Sequence, residues 1–566
     1  MTRDLSQAGR RRAADLLRRA VDADGRKDFA LAARLATDAA AADAGSGQAW
    51  RLLAVFREKL GDYAGALDAY EHALAIAPNE AGLARDIARL ASLLRLPQLA
   101  ERFLLRARQQ DPASIEIAND LAYAYCEQSR FPEAIDLLRG AITDNPGSAL
   151  LWNTLGCVLF ESGQAGQSLV FFDEAIRLQD DLHTAHFNRA NARRAVADFR
   201  GALDDCERAI ALGADSLAQA AMYRYARSNL LLAAGEIGAG WDAYAVRNEE
   251  AYPDYVHHAF AAPAWTPGEP LAGRRVLVVG EQGLGDEILF ANVLADVARE
   301  IGQSGRMLLA VEPRLVALFQ RSFEAAQVVA HDTRRDQGRT VRDAPDMPPD
   351  AYDTWARMGD FLRSHRRELG DFPTAPTGFL KPDPRRVDHW KATLAGIGPG
   401  PKVGVIWRSL VMTSQRQKFY PPLDLWRPVF GAPGVTFINL QIGDCDDELR
   451  VIAQSLNGDI RALPGLDLRM DLDELAALSL ALDLVIGPAT ATTNIAAAVG
   501  APTWLVTTPD AWPRLGADGY PWYPQARVFA GEKSYDWANV MEGVGAALRA
   551  AFPPPQTKKA ASSKGN

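Results

Sequence analysis

With 566 residues, the chain is too long for one hydrophobic core, and a typical domain of about 150 residues predicts three or four structural units. Its net charge of −9 and pI of about 5.6 argue against a nucleic-acid-binding protein, which would carry a basic face. No apolar run reaches the ~18 residues of a membrane-spanning helix, and the opening segment lacks the apolar stretch of a secretory signal.

The four cysteines are far apart and have no histidine at ligand spacing, so neither a metal site nor a disulfide framework is expected. We expect them to be small buried side chains. They are Cys126, Cys157, Cys206 and Cys445. This cysteine pattern, together with the lack of a recognisable signal or membrane-spanning segment, predicts a protein of the reducing cytoplasm that is not inserted in a membrane.

A 34-residue repeat dominates the first half of the chain. Pro78, Pro112 and Pro146 are 34 residues apart, and each ends a segment of helical apolar periodicity. Small residues recur at fixed positions of a register that starts at 47, 81, 115, 149 and 183, as close packing of two antiparallel helices requires. The pattern resembles the tetratricopeptide repeat. The best-matching residues are Trp50, Leu53, Gly61, Tyr63, Ala66, Tyr70, Ala73 and Pro78.

We expect the repeat array to span 47–250, with a degenerate helical pair at 1–46 as an N-terminal cap and another pair near 217–247 at its end. Stacked helix pairs form a concave groove that usually binds an extended segment of a partner protein. The array is therefore expected to hold a protein partner. A solubilising scaffold without a ligand is the alternative.

The second half has the strand–helix alternation of an α/β protein. A continuous apolar strand at 274–280 leads through a glycine-containing turn into an amphipathic helix, and another strand follows at 306–312. This order is typical of a parallel βαβ unit, and a second such unit begins at 402–407. The predicted fold class is thus an α-solenoid followed by two Rossmann-like domains with a cleft between them. The predicted bounds are 251–272 for a Pro- and aromatic-rich linker, 273–390 and 391–552 for the two domains, and 553–566 for a disordered tail.

The turn after the first α/β strand is the first candidate site. Gly283 and Gly285 let the backbone approach a ligand closely. Asp286 and Glu287 follow at the start of a helix, beside the carboxyl end of a strand, where ligands bind in open α/β sheets. The alternative is that Asp286 only caps its helix.

The second candidate is the start of an alanine-rich helix after the strand that ends near Gly487. Thr490, Thr492, Thr493 and Asn494 cluster there. Free N–H groups and the positive end of a helix form an anion site, and the threonine hydroxyls add donors, so this segment is predicted to bind phosphate. Plain N-capping by one threonine is the alternative.

Two further segments follow strands of the second α/β unit. Arg408, Arg416 and Lys418 form a local basic patch without an intervening acid, suited to a phosphate or carboxylate. The alternative is a solvated loop. Gln441 and Gly443 follow the next strand and are predicted to contact a base or ribose.

The aromatic, Pro-rich loop 512–524 either lies over the site or packs in the fold. No zinc-protease, serine-hydrolase or P-loop motif occurs in the sequence.

Residues 274–552 resemble the glycosyltransferase-like domain that follows tetratricopeptide repeats in many bacterial proteins, which is similar to the heptosyltransferase branch of the GT-B fold. The matching stretches are GEQGLGDEILFANVL, EPRLVALFQRSF, VGVIWRS, FINLQIGD, DLDELAALSLALDLVIGP and NIAAAVGAPTWLV. With its repeats, PATATTN and DGYPWYP, the chain also resembles the flagellin-modifying members of alphaproteobacteria.

This resemblance implies an inverting, metal-independent protein O-glycosyltransferase without a cofactor. It implies transfer of a nonulosonic, sialic-acid-like sugar, such as pseudaminic or legionaminic acid, from a CMP-linked donor to Ser or Thr of flagellin held by the repeats. Asp286 matches the acidic residue that such enzymes use as a base, and Glu287 is the second candidate for the catalytic base. The predicted phosphate-binding helix start, with Arg408 and Lys418, would stabilise the departing phosphate.

The sequence departs from the heptosyltransferase pattern at one helix start. That branch has Asp-Thr and then a His where this chain has Ala489, Thr490 and Asn494, so a heptose-ADP donor is not expected. Two other functions stay open: a non-catalytic scaffold or adaptor with a relic GT-B domain, and a transferase acting on glycans or lipid-linked glycans.

Overall fold

The structure is a computed structural model that describes residues 2–281, 283–336, 338–456, 458 and 460–553. The chain forms two compact units, Met1–Asp180 and Asp181–Asn566. The tail predicted to be disordered, 553–566, lies outside the described residues except for Pro553.

The first unit is a stack of antiparallel helix pairs. Helices α3, α5, α7 and α9 begin at Gly47, Ala81, Ile115 and Ala149, which confirms the predicted register. The helices of this unit are α1 (Thr2–Gly25), α2 (Phe29–Ala42), α3 (Gly47–Lys59), α4 (Tyr63–Ile76), α5 (Ala81–Leu93), α6 (Pro97–Gln110), α7 (Ile115–Glu127), α8 (Phe131–Asp144), α9 (Ala149–Glu161) and α10 (Ala165–Leu178).

Small residues at the helix crossings and polar caps at the turns explain this stack. A Cβ on Gly156 would lie 2.6 Å from the Phe172 ring, so only glycine lets α9 and α10 approach this closely. At the turn before α4, Gly61 has a φ of +77°. The Asp62 carboxylate then accepts a hydrogen bond from Gly65 N at 2.9 Å and caps the helix.

The second unit starts with the fifth repeat and the closing helical pair. These are α11 (His183–Ala195), α12 (Phe199–Leu212), α13 (Leu217–Ala233) and α14 (Ile237–Tyr244). A 3-10 turn, Ala245–Asn248, follows α14. We call α13, α14 and this turn the repeat cap.

Two α/β lobes follow. The first lobe consists of β1 (Val256–His258), β2 (Arg275–Val279), α15 (Leu284–Phe290), α16 (Leu294–Ile301), β3 (Arg306–Val311), α17 (Val316–Ser322), β4 (Gln327–Ala330), β5 (Asp332–Asp336), β6 (Arg339–Asp343), β7 (Thr354–Arg357) and α18 (Leu362–His365). The second lobe consists of α19 (Pro384–Gly396), β8 (Lys402–Val405), α20 (Ser414–Gln417), α21 (Arg427–Phe430), β9 (Thr436–Asn439), α22 (Asp446–Ser455), β10 (Ile460–Arg461), α23 (Leu472–Ala481), β11 (Leu484–Pro488), α24 (Ala491–Ala498), β12 (Thr503–Val506), β13 (Arg527–Phe529) and α25 (Trp537–Ala551).

Each lobe is built on a parallel sheet. The first sheet has the order β4-β3-β2-β7, and the second has the order β10-β9-β8-β11-β12-β13. Counted from the first strand of each of these two sheets, the orders are 3-2-1-4 and 3-2-1-4-5-6, and the second is that of a doubly wound nucleotide-binding fold. A small third sheet, β1-β6-β5, lies in the first lobe.

The fifth repeat and the repeat cap pack directly on the α/β lobes. Arg194 of α11 forms an ion pair with the fully buried Asp510 at 2.9 Å. Trp241 of α14 makes edge-to-face contacts with Phe290 of the first lobe and Trp522 of the second. The unit boundary after Asp180 therefore falls inside the predicted array 47–250, because α13 and α14 share a hydrophobic core with the lobes and Arg194 of α11 is paired with Asp510.

The predicted linker 251–272 packs along the first lobe. Within it, β1 pairs with β6. Trp265 is buried, and its main-chain N–H donates to Trp355 O at 2.7 Å. The apolar and aromatic residues of this segment thus cover the first sheet.

Candidate functional site

The strand order of each sheet reverses beside its first strand, and this switch point is where ligands bind in such folds. In the second lobe it lies between β8 and β11. Their carboxyl ends lead into Arg408 and Thr490, respectively. In the first lobe it lies between β2 and β7, and the β2–α15 turn leads to Asp286.

A pocket of about 260 Å³ opens at the switch point of the second lobe, and we call it the switch-point pocket. Both lobes contribute to its wall. Its lining residues are Leu284, Arg314, Ile406, Arg408, Ser409, Leu410, Gln441, Ile442, Arg469, Leu472, Leu475, Thr490, Ala491, Thr492 and Ile495. The structure thus brings together Arg408, Gln441, Thr490 and Thr492, which the sequence analysis selected separately.

The start of α24 divides the predicted phosphate-binding residues into two groups. Thr493 is fully buried, and its hydroxyl accepts from Thr490 N and donates to Pro488 O, both at 2.8 Å. Thr493 is therefore a capping residue and not a ligand donor, which corrects its predicted role.

Thr490 and Thr492 keep their predicted place in the pocket wall. The Thr490 hydroxyl has no hydrogen-bond partner among the described residues. The first N–H groups of a helix have no partner within the helix, so the start of α24 can offer both main-chain and hydroxyl donors to an anion.

Asn494 joins the two lobes. Its Nδ2 donates to Gly285 O at 3.1 Å, which ties the start of α24 to the start of α15. One N–H of the amide is therefore used in a contact between lobes, and Asn494 does not line the switch-point pocket, so its role as a phosphate ligand stays a prediction. Gly285 accordingly lies at the lobe contact.

The positive charge of the pocket comes from three arginines. Arg408 is held by two hydrogen bonds to Glu448, at 2.6 and 2.7 Å, which raise the pKa of its guanidinium. The other two are Arg314, which is paired with Glu312, and the exposed Arg469, and neither was predicted from the sequence. Arg314 Nη1 donates to Arg469 O at 2.7 Å and so brings the two together.

Gln441 has a structural role instead of the predicted contact with a base or ribose. Its Oε1 accepts from Trp407 N and Arg408 N at 3.1 and 3.0 Å. Its Nε2 donates to Arg408 O and Ile442 O, both at 3.1 Å. The amide is fully occupied in fixing the loop after β8.

Gly443 is also explained by local structure. Its φ of +91° disfavours other residues, and an added Cβ would lie 2.7 Å from Leu410 Cδ1. The backbone conformation and the close approach of Leu410 are enough to explain why position 443 is a glycine, without the predicted ligand contact.

Arg416 and Lys418 do not line the switch-point pocket. Arg416 is exposed in α20, and the Lys418 ammonium lies over the Phe419 ring, 5.7 Å from its centroid. They therefore lie outside the pocket wall to which Arg408 belongs, and their predicted contact with a phosphate stays a prediction.

Asp286 does not cap its helix. The N-cap of α15 is Gly283, and no side-chain hydrogen bond caps it. Among the described residues, no hydrogen bond to the Asp286 carboxylate is seen. Burial raises the pKa of Asp286 to about 6, with a further increase from Glu281 and an opposing effect of Arg247. A half-buried carboxylate with this pKa is suited to accept a proton near neutral pH.

Glu287 is held in the core. It is 1% exposed, and its Oε1 accepts from Glu312 N at 2.7 Å while its Oε2 lies 3.6 Å from His331 Nε2. This geometry fixes the end of β3 and does not offer the carboxylate to a ligand, which corrects its prediction as a catalytic residue.

The surroundings of Asp286 come from distant parts of the chain. The negative charge of Asp286 adds to burial in raising the pKa values of Tyr225 and Tyr244 of the repeat cap and of Tyr520. None of the three tyrosines was predicted from the sequence, and neither was Arg247, because all four lie far from Asp286 along the chain.

The aromatic residues of the loop 512–524 pack in the fold, which is one of the two predicted roles of this loop. Trp522 and Tyr523 are each 1% exposed, and Trp522 O accepts from Asn292 Nδ2 at 3.1 Å.

Of the cysteines, Cys126, Cys206 and Cys445 are buried as predicted, whereas Cys157 is partly exposed.

Within the described ranges, no group of three or more His, Cys, Asp or Glu side chains is arranged to hold a metal ion. No helix in the described part of the chain is long and apolar enough to cross a membrane.

Comparisons with known proteins identify the repeats and a full-length relative. Residues 47–80 and 114–144 match models of the tetratricopeptide repeat. Tetratricopeptide repeat protein 36 of Mus musculus is 41% identical over 71 residues, which are 12% of this chain and 38% of that protein. The solved structure of PilW, a type IV pilus biogenesis factor, has 19% identity and a TM-score of 0.32, covering 35% of this chain and 92% of PilW.

Protein FlbA of Caulobacter vibrioides is 44% identical over 534 residues. The match covers 94% of this chain and 89% of FlbA, so it includes the repeats, the repeat cap and both lobes. The chain belongs to the family of protein FlbA.

Proposed function

We propose that the chain is a protein O-glycosyltransferase with a GT-B type pair of lobes. It moves a nonulosonic sugar from a CMP-linked donor to a Ser or Thr hydroxyl of flagellin, and the repeats hold the acceptor. Asp286 is the base, and the switch-point pocket takes the nucleotide phosphate.

One observation carries this proposal: the two functional elements meet at the contact between lobes. Leu284 lines the switch-point pocket, and Asp286 follows it by two residues on the same helical turn. The Asn494–Gly285 hydrogen bond holds this turn against the start of α24. A bound phosphate and the base are thereby kept close to each other.

The proposed reaction is a direct displacement. Asp286 accepts the proton of the acceptor hydroxyl as its oxygen bonds to the anomeric carbon, while the bond from that carbon to the phosphate oxygen breaks. CMP leaves with the bonding electron pair. Arg408, Arg314 and the N–H groups at the start of α24 stabilise the charge that develops on its phosphate.

The flagellar acceptor has weaker support than the sugar transfer. Membership of the FlbA family supports a flagellum-associated role. The likeness of PATATTN and DGYPWYP to flagellin-modifying enzymes supports flagellin itself. Tetratricopeptide repeats are common protein-binding modules, which fits a protein acceptor.

Calorimetry with CMP tests the pocket. Arg469→Ala removes an exposed cation of the pocket wall, so CMP affinity should fall about three- to tenfold. Arg416→Ala is the matched control, because Arg416 is an exposed arginine of the same lobe that does not line the pocket. Equal affinity of the two variants would contradict the assignment of the pocket.

Mass spectrometry of flagellin from cells lacking this protein tests the transfer. The account expects loss of a nonulosonic mass from flagellin peptides, and restoration by the wild-type gene. If the purified protein binds CMP but the flagellin masses do not change in cells lacking it, glycans or lipid-linked glycans are favoured as acceptors. No nucleotide binding at all would favour the scaffold.

A further inference from the structure

A buried ion cluster lies at the turn that leads to the candidate base. Arg247 Nη2 is 3.2 Å from both Glu281 Oε1 and Asp360 Oδ1. The three residues are only 4%, 5% and 7% exposed, respectively. Glu281 Oε1 also accepts from Gly359 N at 2.6 Å. Because buried charges persist only when they are paired, this cluster fixes the positions of its members.

The cluster connects three separate segments of the second unit. Arg247 belongs to the repeat cap, Glu281 to the β2–α15 turn, and Asp360 to the 3-10 turn after β7. The Arg247 guanidinium also lies over the Tyr244 ring, 4.5 Å from its centroid. The turn that leads to Asp286 is therefore anchored to a residue of the repeats.

A second arginine holds the same turn from β6. Arg342 Nη1 donates to Gly280 O at 2.6 Å and to Glu281 O at 2.7 Å. With its main chain and its side chain both bound, Glu281 cannot move without breaking buried hydrogen bonds.

We propose that Arg247 and Glu281 are positioning residues for Asp286, and that they act on its carboxylate in opposite directions. The inference rests on the proposed function, in which Asp286 is the base. The negative Glu281 favours the protonated carboxyl, and the positive Arg247 favours the carboxylate.

The other titratable groups that face Asp286 are tyrosines. They are Tyr225 from α13, Tyr244 from α14 and Tyr520 from the loop after β12. Burial raises their pKa values above the ordinary range, so they stay neutral where Asp286 titrates. The charged residues that shift the pKa of Asp286 are Glu281, which raises it, and Arg247, which lowers it.

The consequence is that a residue of the repeat cap favours the ionised form of the base. Arg247 lies outside the two α/β lobes, yet its positive charge lowers the pKa of Asp286. The repeat cap then takes part in positioning the base.

The test measures the pKa of Asp286 without any ligand. The free energy of unfolding of the full chain is compared with that of its Asp286→Asn counterpart from pH 4 to pH 8, and the pH dependence of the difference reports the pKa of Asp286 in the folded state. The comparison is repeated in the Glu281→Gln, Arg247→Met, Arg247→Lys and Arg224→Met backgrounds. Arg224→Met is the control, because Arg224 lies on α13 in an exposed pair with Glu249.

The expected shifts have opposite signs. Glu281→Gln should lower the midpoint of the Asp286 titration by about one pH unit, and Arg247→Met should raise it by about one. Arg247→Lys and Arg224→Met should leave it nearly unchanged. A general loosening of the structure would lower the midpoint in every variant, so shifts of the same sign, or no shifts, overturn the proposal.

Arg247→Met leaves two buried carboxylates without their partner and could prevent folding. In that case the double variant Arg247→Met/Glu281→Gln replaces it, and its midpoint should lie above that of Glu281→Gln alone. A midpoint equal to that of Glu281→Gln overturns the role of Arg247.

Transfer from CMP-pseudaminic acid to flagellin is the second readout. In active variants, the acid side of the pH–rate profile should move in the same direction as the titration of Asp286. If the titration shifts as expected but the wild type transfers no sugar, the positioning of Asp286 is supported and the proposed function is contradicted.

Discussion

Asn494 Nδ2 donates a hydrogen bond to Gly285 O at 3.1 Å, across 209 residues of sequence. This bond joins the first turn of α24, in the second lobe, to the first turn of α15, in the first. It places the predicted anion site and the candidate base at the same contact between lobes.

Asn494→Ala should therefore weaken the contact between lobes. Loss of one buried hydrogen bond, which leaves Gly285 O without its partner, costs about 1–3 kcal/mol in the free energy of unfolding. Denaturant unfolding measures this loss. Asn539→Ala is the control, because Asn539 makes only a local bond to Asp536 on an exposed face. Equal stability of the two variants would show that the Asn494 bond contributes nothing to the contact.

Asp286→Asn should stabilise the protein at neutral pH. The pKa of Asp286 is about 6 in the folded chain, above its ordinary value of 3.8. Its contribution to stability is therefore fully present below pH ~4 and is lost as the pH rises through about 6. The variant avoids this loss, so it should be more stable than the wild type by on the order of 1–2 kcal/mol above pH 7.

Thermal unfolding between pH 4 and pH 8 measures this effect. The advantage of the variant should shrink on acidification and disappear near pH 4. A difference between the two proteins that stays constant with pH would contradict the raised pKa of Asp286.

Truncation should follow the unit boundary at Asp180/Asp181. A fragment of residues 181–553 should fold, because it keeps the repeat cap against both lobes. A fragment of residues 273–552 loses Trp241, whose ring is buried against Phe290 and Trp522. It also leaves Glu281 without Arg247, and an unpaired buried charge costs about 3–5 kcal/mol.

Thermal unfolding and size-exclusion chromatography of both fragments provide the measurement. We expect a cooperative transition for 181–553, and aggregation or a much lower midpoint for 273–552. If the shorter fragment unfolds cooperatively at the same temperature, the repeat cap is dispensable for the lobes.

Gln441→Ala should destabilise the second lobe. It removes the four hydrogen bonds that the amide makes with main-chain atoms around Trp407, Arg408 and Ile442. The expected loss is about 2–4 kcal/mol in denaturant unfolding. If the variant is as stable as the wild type but binds CMP more weakly, Gln441 contacts the ligand as the sequence first indicated.

The periodic parts of the fold could be predicted from the sequence because local patterns specify them. The 34-residue repeat sets the helix starts in the first unit, and the continuous apolar runs identify β2 and β8 as buried parallel strands. Their carboxyl ends also locate the switch-point pocket, since parallel sheets place ligands there.

The roles of individual site residues depended on contacts that the sequence does not show. Gln441 and Asn494 use their amides on main-chain groups 33 and 209 residues away. Arg416 has the right charge, but its loop carries it away from the pocket. Arg247 lies in a segment predicted to end the repeat array, where no local motif indicates a contact with the base.

The rate of sugar transfer by Asp286→Asn tests the central claim most directly. The measurement is the initial rate from saturating CMP-linked nonulosonic donor to flagellin between pH 5 and pH 8, with calorimetry confirming that the variant binds CMP. The account predicts that the wild-type rate rises with a midpoint near pH 6, as the carboxyl ionises. At pH 7.5 the variant should be about 10²–10⁴-fold slower, although it is at least as stable. A variant rate within a few-fold of the wild type, or a wild-type rate that does not change between pH 5 and pH 7, would contradict Asp286 as the base.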